Sequence, residues 1–141
     1  MFETGGLNVG IGKFANYINT GYGSVAIGGN ALSNSCSGAR NTAVGSDCLD
    51  VCTTGANNTS IGAHSLGALT TGASNVAVGG YAGDLLTTGS NNVILGFEAD
   101  VAAVGNNNSI VIGKGAVGLG SNTTVIGVAA TTAATVYGAL S

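Results

Sequence analysis

The sequence is poor in the residues from which thick globular cores are built. It contains no proline and no tryptophan, only three phenylalanines and four tyrosines, and only 6% charged residues. Its apolar fraction of 45% comes mostly from small and β-branched residues, and 26 of its 141 positions are glycine. Val, Ile, Ala and Thr between glycines are typical of thin, regularly layered β-structure. The composition therefore favours a β-solenoid.

The few charged residues are scattered along the chain. The basic residues are Lys13, Arg40 and Lys114, and the formal net charge is −3. Because a nucleic-acid-binding surface needs clustered basic residues, we expect no nucleic-acid partner. Because no apolar run approaches the roughly 20 residues of a spanning helix, we expect no membrane insertion. The N-terminus lacks the pattern of a secretory signal, which predicts cytosolic synthesis or an excised piece.

What the sequence has instead is a repeat. An apolar residue followed by glycine recurs eight times, and the spacings of these glycines are 16, 17, 17, 17, 17, 17 and 14 residues. Self-similarity at a fixed period indicates a solenoid, in which each unit stacks on the next. The apolar residues of the pairs form a predicted structural column: Ile11, Ile27, Val44, Ile61, Val78, Leu95, Ile112 and Ile126.

Each unit predicts a short strand that ends at this apolar residue. Another β-branched residue stands two positions earlier, as Val25 precedes Ile27, so alternate residues share one face, which we expect to point inward. A second, looser strand is expected to follow through Leu49, Leu66 or Leu85 to the next corner. Four positions after the apolar residue all side chains are small, as a close approach of backbones requires: Ala15, Ala31, Cys48, Ser65, Ala82, Ala99, Ala116 and Ala130.

Between the strands the sequence predicts a tight corner. Thr53-Thr54-Gly55-Ala56-Asn57-Asn58 recurs with small changes one and two units later. Glycine and asparagine tolerate the positive φ angles that such a corner needs. The asparagine columns could form ladders or hold an axial ion, but plain corner hydrogen bonding is the favoured interpretation. The predicted corner residues are Gly38, Gly55, Gly72, Gly89, Asn41, Asn58, Asn75 and Asn92.

Together these columns predict an all-β fold with about eight solenoid turns over residues 7–127. Residues 1–6 are expected to be an N-terminal lead-in, and residues 128–141 a C-terminal cap or tail. A coil this thin buries little by itself, so the flat Ala and Leu columns are expected to need a partner. Association of three identical coils side by side would cover them, which predicts a homotrimer.

The repeat resembles the head repeats of trimeric autotransporter adhesins and the related repeats of bacteriophage tail fibres. The resemblance rests on units such as Asn41-Thr42-Ala43-Val44-Gly45 beside Thr-Thr-Gly corners, and it covers residues 7 to about 127. It implies a left-handed β-roll, three chains side by side, and a role in surface contact. The chain departs from adhesin heads in its longer period and in lacking a signal, a coiled-coil stalk and a membrane anchor. These departures favour the interpretation as a phage-fibre repeat over that as an adhesin head.

The expected function is therefore that of a structural or adhesive virion protein, either a fibre or a capsid-decoration segment. Its expected partners are other virion proteins and a host-surface glycan or protein, and its expected location is the virion or a cell surface. The alternative is an adhesin head. A different class is an ice-binding solenoid, but ice-binding faces carry Thr-x-Thr ladders. Here the threonines are adjacent and Thr71 precedes glycine, so only one of each pair faces a given side.

No catalytic residue, metal site or cofactor is predicted. His64 belongs to a variable column that we interpret as a solvated face. Asp47 and Glu98 lie three turns apart, roughly 14 Å, which is too far for a two-carboxylate glycosidase site within one chain. The Gly113–Gly118 segment superficially resembles a phosphate-binding loop, but no GKS or GKT occurs there, so its glycines are interpreted as turn residues.

Three cysteines make neither an even disulfide framework nor a paired metal motif. Cys36 lies one turn before Thr53, the neighbour of Cys52, so these two cysteines are a candidate disulfide. Cys48 stands in the small column, where it is expected to replace alanine.

The last residues, Val136-Tyr137-Gly138-Ala139-Leu140-Ser141, resemble the stretch before the self-cleaving chaperone domains of phage fibres. In that family a serine acts as the nucleophile and is the last residue retained. The resemblance predicts that Ser141 is a processed terminus; a stop codon or a chosen boundary directly after Ser141 is the alternative.

Overall fold

The computed structural model describes residues 6–128, and these form one parallel β-solenoid. Each repeat contributes one three-residue strand, and each strand pairs in parallel with the next, from β1 to β8 in sequence order. The described residues contain no helix. The strands are β1 (Val9–Ile11), β2 (Val25–Ile27), β3 (Thr42–Val44), β4 (Thr59–Ile61), β5 (Val76–Val78), β6 (Val93–Leu95), β7 (Ile110–Ile112) and β8 (Thr124–Ile126).

The register of the sheet follows the repeat residue for residue. Ile27 pairs with Val44, Val44 with Ile61, and Ile61 with Val78, so the predicted apolar column runs along one edge of the sheet. The 17-residue solenoid is thus confirmed. Eight strands enclose about seven turns rather than the eight expected, and at about 4.8 Å per strand the sheet is about 34 Å long. Most of the predicted lead-in and tail lie outside the described residues.

The side chains of the strands point the opposite way from the prediction. The middle residue of each strand points into the coil: Ala43, Ser60 and Ala77 are fully buried. The residues on either side point outward, and Ile61 is 40% exposed. The expectation that the Ile11-to-Ile126 column points inward is therefore wrong for the single chain. The reason is steric, because leucines such as Leu32, Leu49 and Leu66 already fill the interior beneath the small middle residues of these strands. After β6 and β7, where the turn has no leucine at that position, Ile94 and Val111 are the buried middle residues.

The interior is filled by the columns that were expected to need a partner. The small column, from Ala31 to Ala116, is fully buried, and so are Leu32, Leu49 and Leu66. These side chains pack on one another from turn to turn inside a single coil. The expectation that the Ala and Leu columns await a partner chain is wrong for these residues, because the turn after each strand folds them beneath the sheet. Leu85 is the exception, since it is 44% exposed.

Two glycine columns exist because neighbouring turns approach too closely for a side chain. At Gly62, which follows β4 with a φ of +130°, a Cβ would lie 2.5 Å from the carbonyl oxygen of Gly79. At Gly55 in the corner it would lie 2.5 Å from the carbonyl oxygen of Gly72. The glycines after the strands are therefore fixed by stacking and by positive φ, whereas the corner glycines are fixed by stacking alone. The expectation that the corner glycines supply positive φ is wrong, because Asn57 and Ser74 adopt that conformation instead.

The turn after each strand has a constant backbone but a variable side chain. Asn30, Asp47, His64, Tyr81 and Glu98 occupy equivalent positions and all have φ between 55° and 58°. This left-handed conformation is unfavourable for residues as large as tyrosine. It is retained because the coil must reverse direction here, so these side chains project from a fixed backbone.

Candidate functional site

The predicted corner asparagines form a continuous ladder inside the coil. Asn41, Asn58, Asn75 and Asn92 are all fully buried. The side-chain Oδ1 of Asn58 accepts the backbone N–H of Asn75 at 2.9 Å and its side-chain Nδ2 at 3.1 Å. The Nδ2 of Asn58 also donates to the carbonyl oxygen of Gly72 at 2.9 Å. The column thus makes both the ladder and the corner hydrogen bonds.

This ladder leaves little for a ligand. Each amide oxygen receives donors from the next turn, and the amide nitrogens of Asn58 and Asn75 donate to the corner glycine of the next turn. In residues 6–128 no buried side-chain nitrogen or oxygen lacks a hydrogen-bond partner. The ladder is therefore a structural element, and its oxygens are already engaged inside the single chain.

The first threonine of each corner makes a second ladder. The hydroxyl groups of Thr53 and Thr70 donate to the carbonyl oxygens of Thr70 and Thr87, both at 3.1 Å. The hydroxyl of Thr87 continues to Val104 at 3.3 Å. These hydroxyls already donate hydrogen bonds to the backbone of the coil, so they are poorly suited to match an ice lattice.

The structure joins Cys36 and Cys52 by a disulfide between neighbouring turns, with 5.1 Å between their Cα atoms. Cys48 is a free cysteine and is fully buried in the small column. Burial raises the pKa of the Cys48 thiol to about 11, so at neutral pH this thiol is protonated and unreactive. Cys48 therefore packs as a small apolar side chain.

The outward face of the sheet is an apolar surface that runs along the coil from β1 to β8. It consists of the first and last residue of every strand, and we call it the sheet face. All its residues are aliphatic except Thr42, Thr59 and Thr124, and none is charged. The exposed fractions include 59% for Ile11 and 48% for Ile126 at the two ends. Its length of about 34 Å and width of about 10 Å give roughly 340 Å² in plan.

A second surface lies on the turns after the strands. The five carboxylates among the described residues all stand three to six positions after a strand's last residue, on what we call the acidic edge: Asp47, Asp50, Asp84, Glu98 and Asp100. Aromatic rings accompany them. His64 stacks on Tyr81 with 4.8 Å between ring centroids, and the edge of Phe97 approaches Tyr81 at 6.4 Å. The variable column of His64 is solvated, as predicted, but the ring stacking was not foreseen from the residue pattern.

The electrostatics of the acidic edge differ from residue to residue. Hydrogen bonds from Ser46 and Asn30 lower the pKa of Asp47. Burial, followed by repulsion from Asp47, raises the pKa of Asp50. Burial raises the pKa of Asp100 to about 7, and its contact with Asp84 adds to the shift. Sequence reasoning missed the Asp84–Asp100 contact, because the two residues occupy different positions in their repeats.

The acidic edge holds an open groove of about 490 Å³. Asp50 and Asp84 stand at equivalent positions two turns apart, and Gly67 occupies that position in the turn between them. The missing side chain of Gly67 therefore leaves a notch. The lining residues are Asp50, Val51, His64, Gly67, Ala68, Tyr81 and Asp84.

Across residues 6–128 no group of three or more His, Cys, Asp and Glu side chains could hold a metal ion. The same part of the chain has no helix suited to crossing a membrane. Gly113 and Gly115 lie in the turn after β7 and have positive φ angles, in keeping with turn glycines. Ser141 lies outside the described residues.

No protein-family profile and no curated protein matches this sequence. The likeness to fibre and adhesin repeats therefore rests on the repeated residues themselves.

Proposed function

We propose that this chain is a structural segment of an elongated homotrimer, a fibre or capsid-decoration part of a phage virion that presents surfaces for contact. The observation that carries the proposal is the uncharged sheet face. The largest apolar patch of a typical monomer covers about 300–600 Å² and is often functional, so the proposal depends on the continuity of the sheet face along every turn and not on its area of roughly 340 Å². Three sheet faces turned toward a common axis would cover one another along the whole length of the solenoid.

The number three comes from the repeat's resemblance to trimeric fibre and adhesin repeats, which also suggests a left-handed coil. The need for a partner comes from the sheet face alone. An uninterrupted aliphatic stripe matches an axial core, since neighbouring copies present the same residue types at the same height. The acidic edge would then face outward, available to a host-surface molecule or another virion protein.

Two other functions fit less well. An adhesin head would use the same trimer on a bacterial surface, and the longer repeat favours the phage. An ice-binding face would need a flat array of free threonine hydroxyls. The sheet face has only Thr42, Thr59 and Thr124, and the corner hydroxyls of Thr53 and Thr70 are bonded to the backbone.

Sedimentation equilibrium tests the proposal. The wild-type chain should have three times the monomer mass of 13.4 kDa. Ile61→Asp should sediment as a folded monomer, because position 61 is exposed in the single coil but would place a charge in the trimer core. The matched control, Asn57→Asp at an exposed corner, should remain trimeric. A wild-type monomer, or a trimer that tolerates Ile61→Asp, would reject this assembly.

A further inference from the structure

The groove over Gly67 has the chemistry of a binding site for a cationic side chain. Its two ends carry carboxylates about 10 Å apart, Asp50 and Asp84, as expected for equivalent positions two turns apart. Its wall is the stacked pair His64 and Tyr81, and Ala68 and Val51 add an apolar lining. Carboxylates beside aromatic rings are the usual surroundings of bound guanidinium and ammonium groups.

The charge around the groove favours a cation over a wide area. No lysine or arginine occurs between Arg40 and Lys114, so His64 is the one basic side chain in the central turns of the acidic edge. Asp100 contacts Asp84 and also accepts the backbone N–H of Leu85 at 3.0 Å, so a second carboxyl group supports that end of the groove. An approaching cation would meet negative potential along about three turns.

The groove is also independent of the sheet face. None of its lining residues belongs to a strand, because all of them come from the turns that follow β3, β4 and β5. Their backbone is held in place by the stacking of successive solenoid turns. His64 and Tyr81 accordingly share the same left-handed conformation, with φ of 57° and 58°. Such a groove needs little reorganisation to receive a ligand.

We infer that this groove binds an arginine side chain of a basic protein segment, with the guanidinium between Asp50 and Asp84 and its plane against the aromatic wall. Arginine fits better than lysine because its planar group both stacks on rings and forms paired hydrogen bonds with carboxylates. The inference rests on the proposed role of the chain as an exposed fibre segment, and it names the kind of partner that this segment would contact.

Burial gives the groove a further property. The pKa of Asp50 is raised by desolvation and by Asp47. A guanidinium group beside Asp50 would lower this pKa again, so binding would favour the ionised carboxylate.

The experiment is an NMR titration of the full chain at pH 8 with an acetylated, amidated Gly-Gly-Arg-Gly-Gly peptide, observing the ring signals of His64 and Tyr81. Asp50→Asn/Asp84→Asn should raise the Kd about tenfold, because two charge-assisted contacts are lost. The matched control, Asp47→Asn/Glu98→Gln, removes the same charge outside the groove and should raise the Kd less than about threefold. Ala68→Leu, which fills the groove without changing its charge, should also abolish binding.

Three results would overturn the inference. The first is a wild-type protein whose His64 and Tyr81 signals do not shift. The second is an equal loss in both double variants, which would indicate diffuse attraction. The third is binding of a glucosamine oligomer through Asp50 and Asp84 without binding of the peptide. Sedimentation of the same samples keeps this outcome separate from the assembly, because a monomer that binds the peptide rejects only the trimer.

Discussion

The middle and the C-terminal turns of the solenoid are built on one repeat but differ in how completely they use it. From β3 to β6 the Asn ladder is unbroken. Beyond β6 its place is taken by Ser109 and Thr123, and the repeat shortens to 14 residues. Exposed aliphatic side chains also increase there, to 58% for Val117 and 79% for Leu119.

The interior changes one turn earlier. Leu32, Leu49 and Leu66 fill equivalent positions of successive turns, but that position is Gly83 in the turn after β5 and Asp100 in the turn after β6. An aspartate there replaces apolar packing with hydrogen bonds to the backbone N–H groups of Val101 and Leu85. The comparison teaches that stability in a solenoid is local, since each turn depends on how well its neighbours continue the columns.

The largest expected effect comes from shifting the columns out of phase. Deletion of residues 57–73 joins Ala56 to Ser74, which has the same φ of 59° as Asn57, so every column continues. Deletion of residues 57–65 instead joins Ala56 to Leu66 and misaligns each later turn. We expect the first variant to fold into a sheet that is shorter by about 4.8 Å and to unfold in one cooperative transition. We expect the second variant to lose its β-structure. Circular dichroism and small-angle scattering would measure both, and similar behaviour of the two variants would contradict a stacked repeat.

Breaking the ladder should have the next largest effect. Asn75→Ala removes the acceptor of Asn92 and the donor to Gly89, leaving buried polar groups unsatisfied. The free energy of unfolding should fall by about 3 kcal/mol. Ser109→Ala, at the same position in the C-terminal turns, should cost about 1 kcal/mol. Urea unfolding measures both, and equal costs would remove the distinction between the two regions.

The features behind these two predictions could be recognised in the sequence, whereas other features of the fold could not. The Asn and Gly columns are visible at fixed spacing because each is required by a contact one turn away. The direction of the strand side chains was misjudged because hydrophobicity was taken as the guide, whereas leucines of the following turns already fill the interior beneath small strand residues such as Ala43. The Asp84–Asp100 contact and the groove over Gly67 depend on which side chains of neighbouring turns lie together in three dimensions. No residue type in the repeat predicts either feature.

A smaller effect is expected from pH, which should change the stability of the turns around Asp100. Because the pKa of Asp100 rises from 3.8 to about 7 on folding, the folded state holds its proton more tightly than the unfolded chain. The associated stability is complete below about pH 4 and is lost as pH rises through about 7. Protection factors of amides in β7 should therefore fall between pH 5 and pH 8, while those in β4 change less. Asp100→Asn should remove the difference, and a β7 response that persists in this variant would assign the effect to another group.

The central claim is that chains associate through the sheet face, and distances between spin labels test it most directly. A label at Thr59→Cys can be attached selectively, because Cys36 and Cys52 are joined and the buried Cys48 thiol has its pKa raised to about 11. Sheets packed face to face lie about 10 Å apart, so double electron–electron resonance should detect short inter-chain distances, set by this gap and the label linkers. An assembly of trimeric mass whose Thr59 labels show no inter-chain coupling would mean that the chains meet elsewhere.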